Sequence, residues 1–181
     1  MVHFEEKISS EPIFEGRVIS LTRDVILLEN GKESTREVVH HNGGASVIAL
    51  NEKNEIYLVR QYRYAVGAEL IELPAGKLEK GEDPFAAAQR ELAEEAGVVA
   101  ADYCDLGYII PTCGYCTEKI YLYAAKNLTA VHQNLDEDEF LSVFTLPLAE
   151  AAEKVLSGEI TDSKTAVGIL KLKALCDAGK F

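Results

Sequence analysis

The sequence has no tryptophan, only four cysteines and five prolines, and far fewer basic than acidic side chains. Eighteen Lys and Arg stand against thirty Asp and Glu, for a net charge of -12. That deficit argues against a nucleic-acid-binding surface, which needs a basic patch. It does not exclude a small anionic ligand, because a bound metal ion reverses the sign of the local field. No apolar run approaches the length of a membrane span. The first ten residues carry Glu5, Glu6 and Lys7 and no apolar core, so no signal peptide is expected and the cytoplasm is the expected compartment. The cysteines are Cys104, Cys113, Cys116 and Cys176. Cys113 and Cys116 have zinc or redox spacing, yet no second pair completes a zinc site. Residues 117–121 read as the entry to a strand, whereas a redox pair opens a helix, so ordinary reduced thiols are expected. Repeats, low-complexity stretches and Pro/Gly/Ser linkers are also missing. A chain of 181 residues with 48% hydrophobic content is then expected to build one globular domain with at most a small extension.

What is present divides in two. Residues 1–42 read as an antiparallel β extension with short strands at 13–20, 24–28 and 35–41, the last two joined by an Asn30-Gly31 turn. His40 and His41 close it. The pair invites a metal reading, but no further His lies near in sequence and a local role is expected. Residues 43–181 read as the main domain. Strands are expected at 45–50, 56–60, 69–73, 105–110, 119–125 and 140–146. Pro74 ends the third of these, having no N–H for a ladder. Helices are expected from about 147 to 156 and from an N-cap at Asp162. Strands, helix, strands and helices in that order predict a mixed sheet between helical layers, an α/β/α sandwich.

Between residues 76 and 98 lies the stretch around which the chain is organised. Asp83-Pro84 reads as an N-cap and first helical residue, and Gly97 as a left-handed stop. Phe85, Ala88, Leu92 and Ala96 form an apolar stripe. Glu91 and Glu95 lie one turn apart beside that stripe, flanked by Glu94, although like charges at this spacing weaken a helix. An acidic solvated face is the plain explanation. Hard oxygen ligands for Mg²⁺ or Mn²⁺ are the functional one.

The spacing runs further: Gly76, five residues, Glu82, seven residues, then Arg90-Glu91-Leu92-x-Glu94-Glu95-x-Gly97-Val98. This resembles the signature of the Nudix hydrolases at every fixed position, and the likeness covers about residues 43–178. It implies the α/β/α Nudix fold and divalent-cation-dependent cleavage of a diphosphate linked to a nucleoside. A narrower resemblance, to the ADP-ribose pyrophosphatase branch, rests on Gln61-Tyr62-Arg63 ahead of Glu72-Leu73-Pro74-Ala75-Gly76, on Pro111 with Gly114 and Glu118-Lys119, and on the acidic run 135–140. The tail Gly158 to Thr165 also resembles the branch.

The resemblance implies roles. Glu91, Glu95 and the Ala75 carbonyl would ligate metal, with Glu94 as an additional ligand. Mg²⁺ is the expected cofactor and Mn²⁺ the substitute. Arg90 would orient the carboxylates or pair with Glu94 on the surface. Arg63, Glu72 and Pro111 would bind substrate. Glu139 is the chosen base, with Glu137 as the alternative, and the neighbouring Phe140 is expected to shelter it. The expected reaction is hydrolysis of ADP-ribose to AMP and ribose 5-phosphate; another nucleotide sugar such as GDP-mannose, or a non-catalytic nucleotide-sugar sensor, are the alternatives. Relatives often clamp adenine between aromatic side chains of the extension. Here Val18 and Arg36 stand in those places, so Arg36 is the expected base contact. The same extension implies a homodimer.

Overall fold

The computed structural model describes residues 3–135 and 139–181. Two compact units divide the chain: Met1–Gly43 with Ile110–Lys119, and Gly44–Ile109 with Ile120–Phe181. The segment 110–119, which the sequence placed with the main domain, groups with the N-terminal strands.

In the first unit β1 (Glu6–Glu15), β2 (Ser20–Leu27) and β3 (Glu33–His40) form an antiparallel sheet in chain order. The Asn30-Gly31 hairpin is present; the Gly31 amide donates to the Leu28 carbonyl at 2.9 Å. The strands around it start earlier than their apolar content indicated. Every residue of β1 is exposed, so no burial pattern marks it. It is a strand because its backbone pairs with β2, from Glu6 opposite Leu27 to Glu15 opposite Ser20. The segment 110–119 joins β3 through Val39, whose amide donates to the Tyr115 carbonyl at 2.7 Å and whose carbonyl accepts from the Thr117 amide at 2.9 Å. His40 pairs with Thr22 at 3.0 Å, and His41 Nδ1 accepts the Gly43 amide at 2.9 Å.

The second unit is built on β4 (Gly44–Ala49), all six residues of which are buried. A strand sends successive side chains to opposite faces. Ala45, Val47 and Ala49 accordingly join a core with Ala87, Ala88 and Leu92, while Ile48 joins another with Leu122, Ile169 and Leu172. The first core lies under α1 (Pro84–Ala96); the second receives α2 (Leu148–Leu156) and α3 (Ser163–Asp177). One sheet has the order β7-β4-β9-β8, with β7 (Ala75–Lys77), β8 (Val98–Ile109) and β9 (Ile120–Ala130). β4 runs parallel to β9 and antiparallel to β7, so the sheet is mixed. A second sheet has the order β10-β5-β6, with β5 (Glu55–Arg63), β6 (Ala68–Glu72) and β10 (Leu141–Pro147). This is the expected α/β architecture, with helices on both faces of β4.

Three local differences matter. β5 continues through Arg63, where a loop was expected after Arg60, because Gln61 and Arg63 pair with Leu70 and Ala68. β8 begins at Val98, directly after the α1 cap, and pairs as far back as Val98 opposite Ala130. Pro74 does end β6, but the chain pairs again at once: β7 places Ala45 opposite Gly76. The start of the motif is therefore laid along β4, beside the helix that carries the glutamates.

Candidate active site

α1 begins and ends as its residues dictate. Asp83 Oδ1 accepts the Ala86 amide at 2.9 Å, Pro84 occupies the first turn, and Gly97 takes the left-handed conformation with φ 65°. Its inner stripe is Ala87, Ala88, Leu92 and Ala96; Phe85 sits at the margin, edge-on to Tyr103 with 5.0 Å between ring centroids. Glu91 and Glu95 are buried with the stripe, at 7% and 2% exposure, so the acidic-surface explanation fails for both.

Burial opposes the charged form of a carboxylate. For Glu95 burial dominates, reinforced by the charges of Glu91 and Glu139 and only partly offset by the Ala75 amide, and its pKa is pushed up to about 8. That amide donates to Glu95 Oε2 at 2.8 Å. Burial also raises the pKa of Glu91, against the pull of Arg90. The motif glycine makes room for this acid: a Cβ on Gly76 would lie 1.7 Å from Glu91 Oε1. Arg90 supplies the local positive charge. Its Nη1 donates to Glu91 Oε1 at 2.7 Å and to Glu94 Oε2 at 2.9 Å, and its Nε and Nη2 donate to Glu82 Oε1 at 3.3 and 3.2 Å. Burial disfavours its cation, but the three carboxylates outweigh this and raise its pKa. Orientation of the carboxylates and the turn-spaced pair with Glu94 are thus both realised.

The donor set fits a divalent cation. Of the two buried carboxylates Glu91 has the Arg90 contact, and the ionised form of Glu95 is favoured by the Ala75 amide and, more weakly, by the charge of Arg63. A hard cation is the partner such oxygens lack. Glu91 and Glu95, with half-buried Glu94 and the carbonyl of Ala75, are the groups that would hold it. Among the described residues no three His, Cys, Asp or Glu side chains already converge on one point; Glu91 and Glu94 are turned to Arg90. Glu139 is half-buried and close enough to act on both Glu91 and Glu95. Phe140 does not shelter it as expected, being 82% exposed. Glu137 lies outside the described residues.

A second charged group stands nearby in sequence and on the same unit. Arg63 grips Glu72 with two parallel bonds, Nε to Oε1 at 2.6 Å and Nη2 to Oε2 at 2.8 Å. Glu72 is 1% exposed and also bonds the Lys164 ammonium. Burial alone would raise its pKa, but the two cations reverse this and lower it. Its hydrogen bond to Glu72 raises the pKa of Arg63. Arg63 keeps 40% of its side chain exposed. Both oxygens of Glu72 are engaged, Oε1 by Arg63 and Oε2 by Arg63 and Lys164. Arg63 is also near enough to help ionise Glu95.

Arg36 and Pro111 belong to the first unit. Arg36 is committed there: its guanidinium bonds Glu5 twice, and its Nη1 donates to the Thr35 carbonyl at 2.9 Å. Pro111 is half-buried. The sequence reading missed Lys164 and Gln133. Gln133 Nε2 donates to the Glu95 carbonyl at 2.6 Å, satisfying an orphan carbonyl at the end of α1. Lys164 had a signal: it is a cation in the first turn of a helix, where the macrodipole disfavours one. Gln133 had none.

The family described as NUDIX domain matches residues 40–165, and the Nucleoside diphosphate sugar hydrolase N-terminal domain matches residues 5–39. The chain is 43% identical to a methanol dehydrogenase activator of Bacillus methanolicus over 94% of both proteins. It is 40% identical to an ADP-ribose pyrophosphatase of Bacillus subtilis, over 99% of this chain and all of that one. A solved ADP compounds hydrolase shares the fold, with a TM-score of 0.85 at 20% identity, over 100% of this chain and 99% of the other. A match over well over half the chain, with the signature helix carrying buried paired glutamates, makes this chain a member of the Nudix hydrolase family.

Proposed function

We propose that the chain hydrolyses the diphosphate of a nucleoside diphosphate sugar, with ADP-ribose preferred and AMP and ribose 5-phosphate as products, using Mg²⁺. Water adds to one phosphorus, the bridging P–O bond breaks, and the departing phosphate leaves on its own sugar. The observation that carries the reading is the pair Glu91 and Glu95: buried, under-compensated, and seated against β7, Glu91 at Gly76 and Glu95 at the Ala75 amide. The near full-length likeness to a named ADP-ribose pyrophosphatase supports the substrate class.

A bound divalent cation would neutralise diphosphate charge and lower the pKa of the attacking water. Glu91, Glu95, Glu94 and the Ala75 carbonyl would hold it. Arg90 keeps three carboxylates in register meanwhile. Arg63, partly exposed and held by Glu72, meets the substrate anion. Glu139 accepts the proton of the attacking water, with Glu137 as the alternative. Arg36 and Pro111 are further proposed substrate contacts. The working form is proposed to be a cytoplasmic homodimer.

The test is a panel of ADP-ribose, GDP-mannose, NADH, ADP-glucose and ATP at equal concentration with Mg²⁺. ADP-ribose should lead in kcat/KM; a lag of more than about tenfold behind any other, or about 1.4 kcal/mol, refutes the preference and leaves the family assignment intact. A second reading rests on the Bacillus methanolicus relative: that the chain raises the activity of a methanol dehydrogenase. Assaying that enzyme with and without the chain decides it, and Glu95→Gln tells whether diphosphate hydrolysis is involved.

A further inference from the structure

Lys164 belongs to no motif role assigned above. It lies in the first turn of α3, against the helix dipole, and is only 7% exposed. A lysine is rarely buried unless it is paired. Its partners explain the placement. Its ammonium bonds Glu72 and donates to Asp162 Oδ2 at 2.9 Å. Asp162 is itself fixed as the α3 cap, accepting the Thr165 amide at 3.0 Å and the Thr165 hydroxyl at 2.6 Å. Thr165 Oγ1 in turn accepts the Leu73 amide at 2.8 Å. The start of α3 is thereby tied to the residue that follows Glu72. The same carboxylate also holds Arg63, with two parallel bonds and 40% of the arginine side chain exposed. Glu72 is pinned between a wholly buried cation and a partly exposed one.

We propose that Lys164 is a positioning residue for the substrate diphosphate: it fixes Glu72, and Glu72 then holds Arg63 in the pose that meets the anion. Lys164 itself never touches substrate. The inference rests on reading Arg63 as the phosphate contact. A free arginine side chain loses rotamer freedom when it binds an anion; one already held by a fixed carboxylate loses less. Without Lys164, Glu72 keeps only the mobile partner, and the pair can turn together.

The test uses the full chain and the variants Lys164→Gln, Lys164→Arg, Arg63→Ala and Lys164→Gln with Arg63→Ala. ADP-ribose binding is measured by calorimetry in EDTA, KM and kcat with Mg²⁺, and melting for each variant. Lys164→Gln keeps a donor toward Glu72 but loses the charge. It should raise Kd and KM about tenfold with kcat within about threefold, the signature of lost uniform binding. In the Arg63→Ala background the same change should add nothing, because its effect passes through Arg63. Lys164→Arg keeps the charge but crowds Glu72, and its Kd should lie between those of the parent and Lys164→Gln. Unchanged Kd and KM in folded Lys164→Gln, or effects that multiply in the Arg63→Ala background, overturn the proposal. If Lys164→Gln does not fold, Lys164→Arg carries the test, and a parental Kd there overturns it. A parent that neither binds nor cleaves ADP-ribose refutes the functional reading instead; the same cycle on whichever panel substrate is cleaved then decides the role of Lys164.

Discussion

Replacing Glu95 by Gln should stabilise the metal-free protein while abolishing its activity. Glu95 is 2% exposed and its pKa is pushed up to about 8, from an ordinary 4.5, by burial first and by its acidic neighbours second. In the unfolded chain the carboxyl ionises above pH 4.5. The native state holds the proton until about pH 8, so across that interval it binds more protons than the unfolded state and stability falls as pH rises. The full gap amounts to about 5 kcal/mol at about 1.36 kcal/mol per pH unit. At pH 7 about 3 kcal/mol of it is already felt, because the unfolded carboxyl is fully ionised there. Gln removes the penalty and its amide oxygen can still accept the Ala75 amide. It adds a buried NH₂ that lacks a partner, which costs about 1–3 kcal/mol. The net gain is about 2–4 kcal/mol at pH 8, or about 4–16 °C in Tm for a chain of this size. The assay is thermal melting in EDTA from pH 5 to pH 8.5, repeated with Mg²⁺. The variant's advantage should grow with pH in EDTA and shrink or invert with Mg²⁺, which the parent alone binds well. Equal or lower Tm for the variant at pH 8 in EDTA, or a difference that ignores pH, refutes the account of Glu95 as a buried acid awaiting a cation.

Gly76→Ala places a Cβ against the Glu91 carboxylate, so it should cut Mg²⁺-dependent turnover by about 10²-fold or more through displaced Glu91; activity near that of the parent would show the carboxylate has room to move. Glu139→Gln should lose about 10²–10⁴-fold in kcat, as expected for a positioned base, and Glu137→Gln much less; the reverse order in steady-state kinetics transfers the role to Glu137. Leu92→Ala empties a fully buried site beneath β4 and should cost about 2–5 kcal/mol in urea unfolding, with a loss under 1 kcal/mol indicating that the helix repacks. Cys113→Ser with Cys116→Ser should leave turnover intact, since both thiols are free, Cys113 in a turn and Cys116 bridging Val39 through its backbone; a large loss, or stoichiometric zinc in the purified parent, contradicts this.

The signature helix and its limits were readable in the chain itself. Asp83, Pro84 and Gly97 act on their immediate neighbours, and the Ala/Leu stripe has a local period, so no distant contact was needed to find α1. The apolar runs of β4, β5 and β9 are local in the same sense. That Glu91 and Glu95 form one row beside the stripe follows from helical geometry alone. The unusual length and spacing of the motif carried the family.

Tertiary structure decided what depends on partners distant in sequence. β1 carries no burial pattern and exists because β2 pairs with it. β7 is a strand because β4 lies alongside, directly after a proline that had argued for a stop. Helix periodicity put Glu91 and Glu95 near the core, but only the packing of Gly76 and Ala75 against them turned two acidic residues into buried acids with raised pKa. The partner of Glu72 was equally out of reach of local reading: Lys164, which shares its carboxylate with Arg63, lies 92 residues away. A sequence lists the charges and their spacing along an element. Which charge is desolvated, and by which partner it is answered, is settled by the fold, because both depend on surfaces brought together from remote parts of the chain.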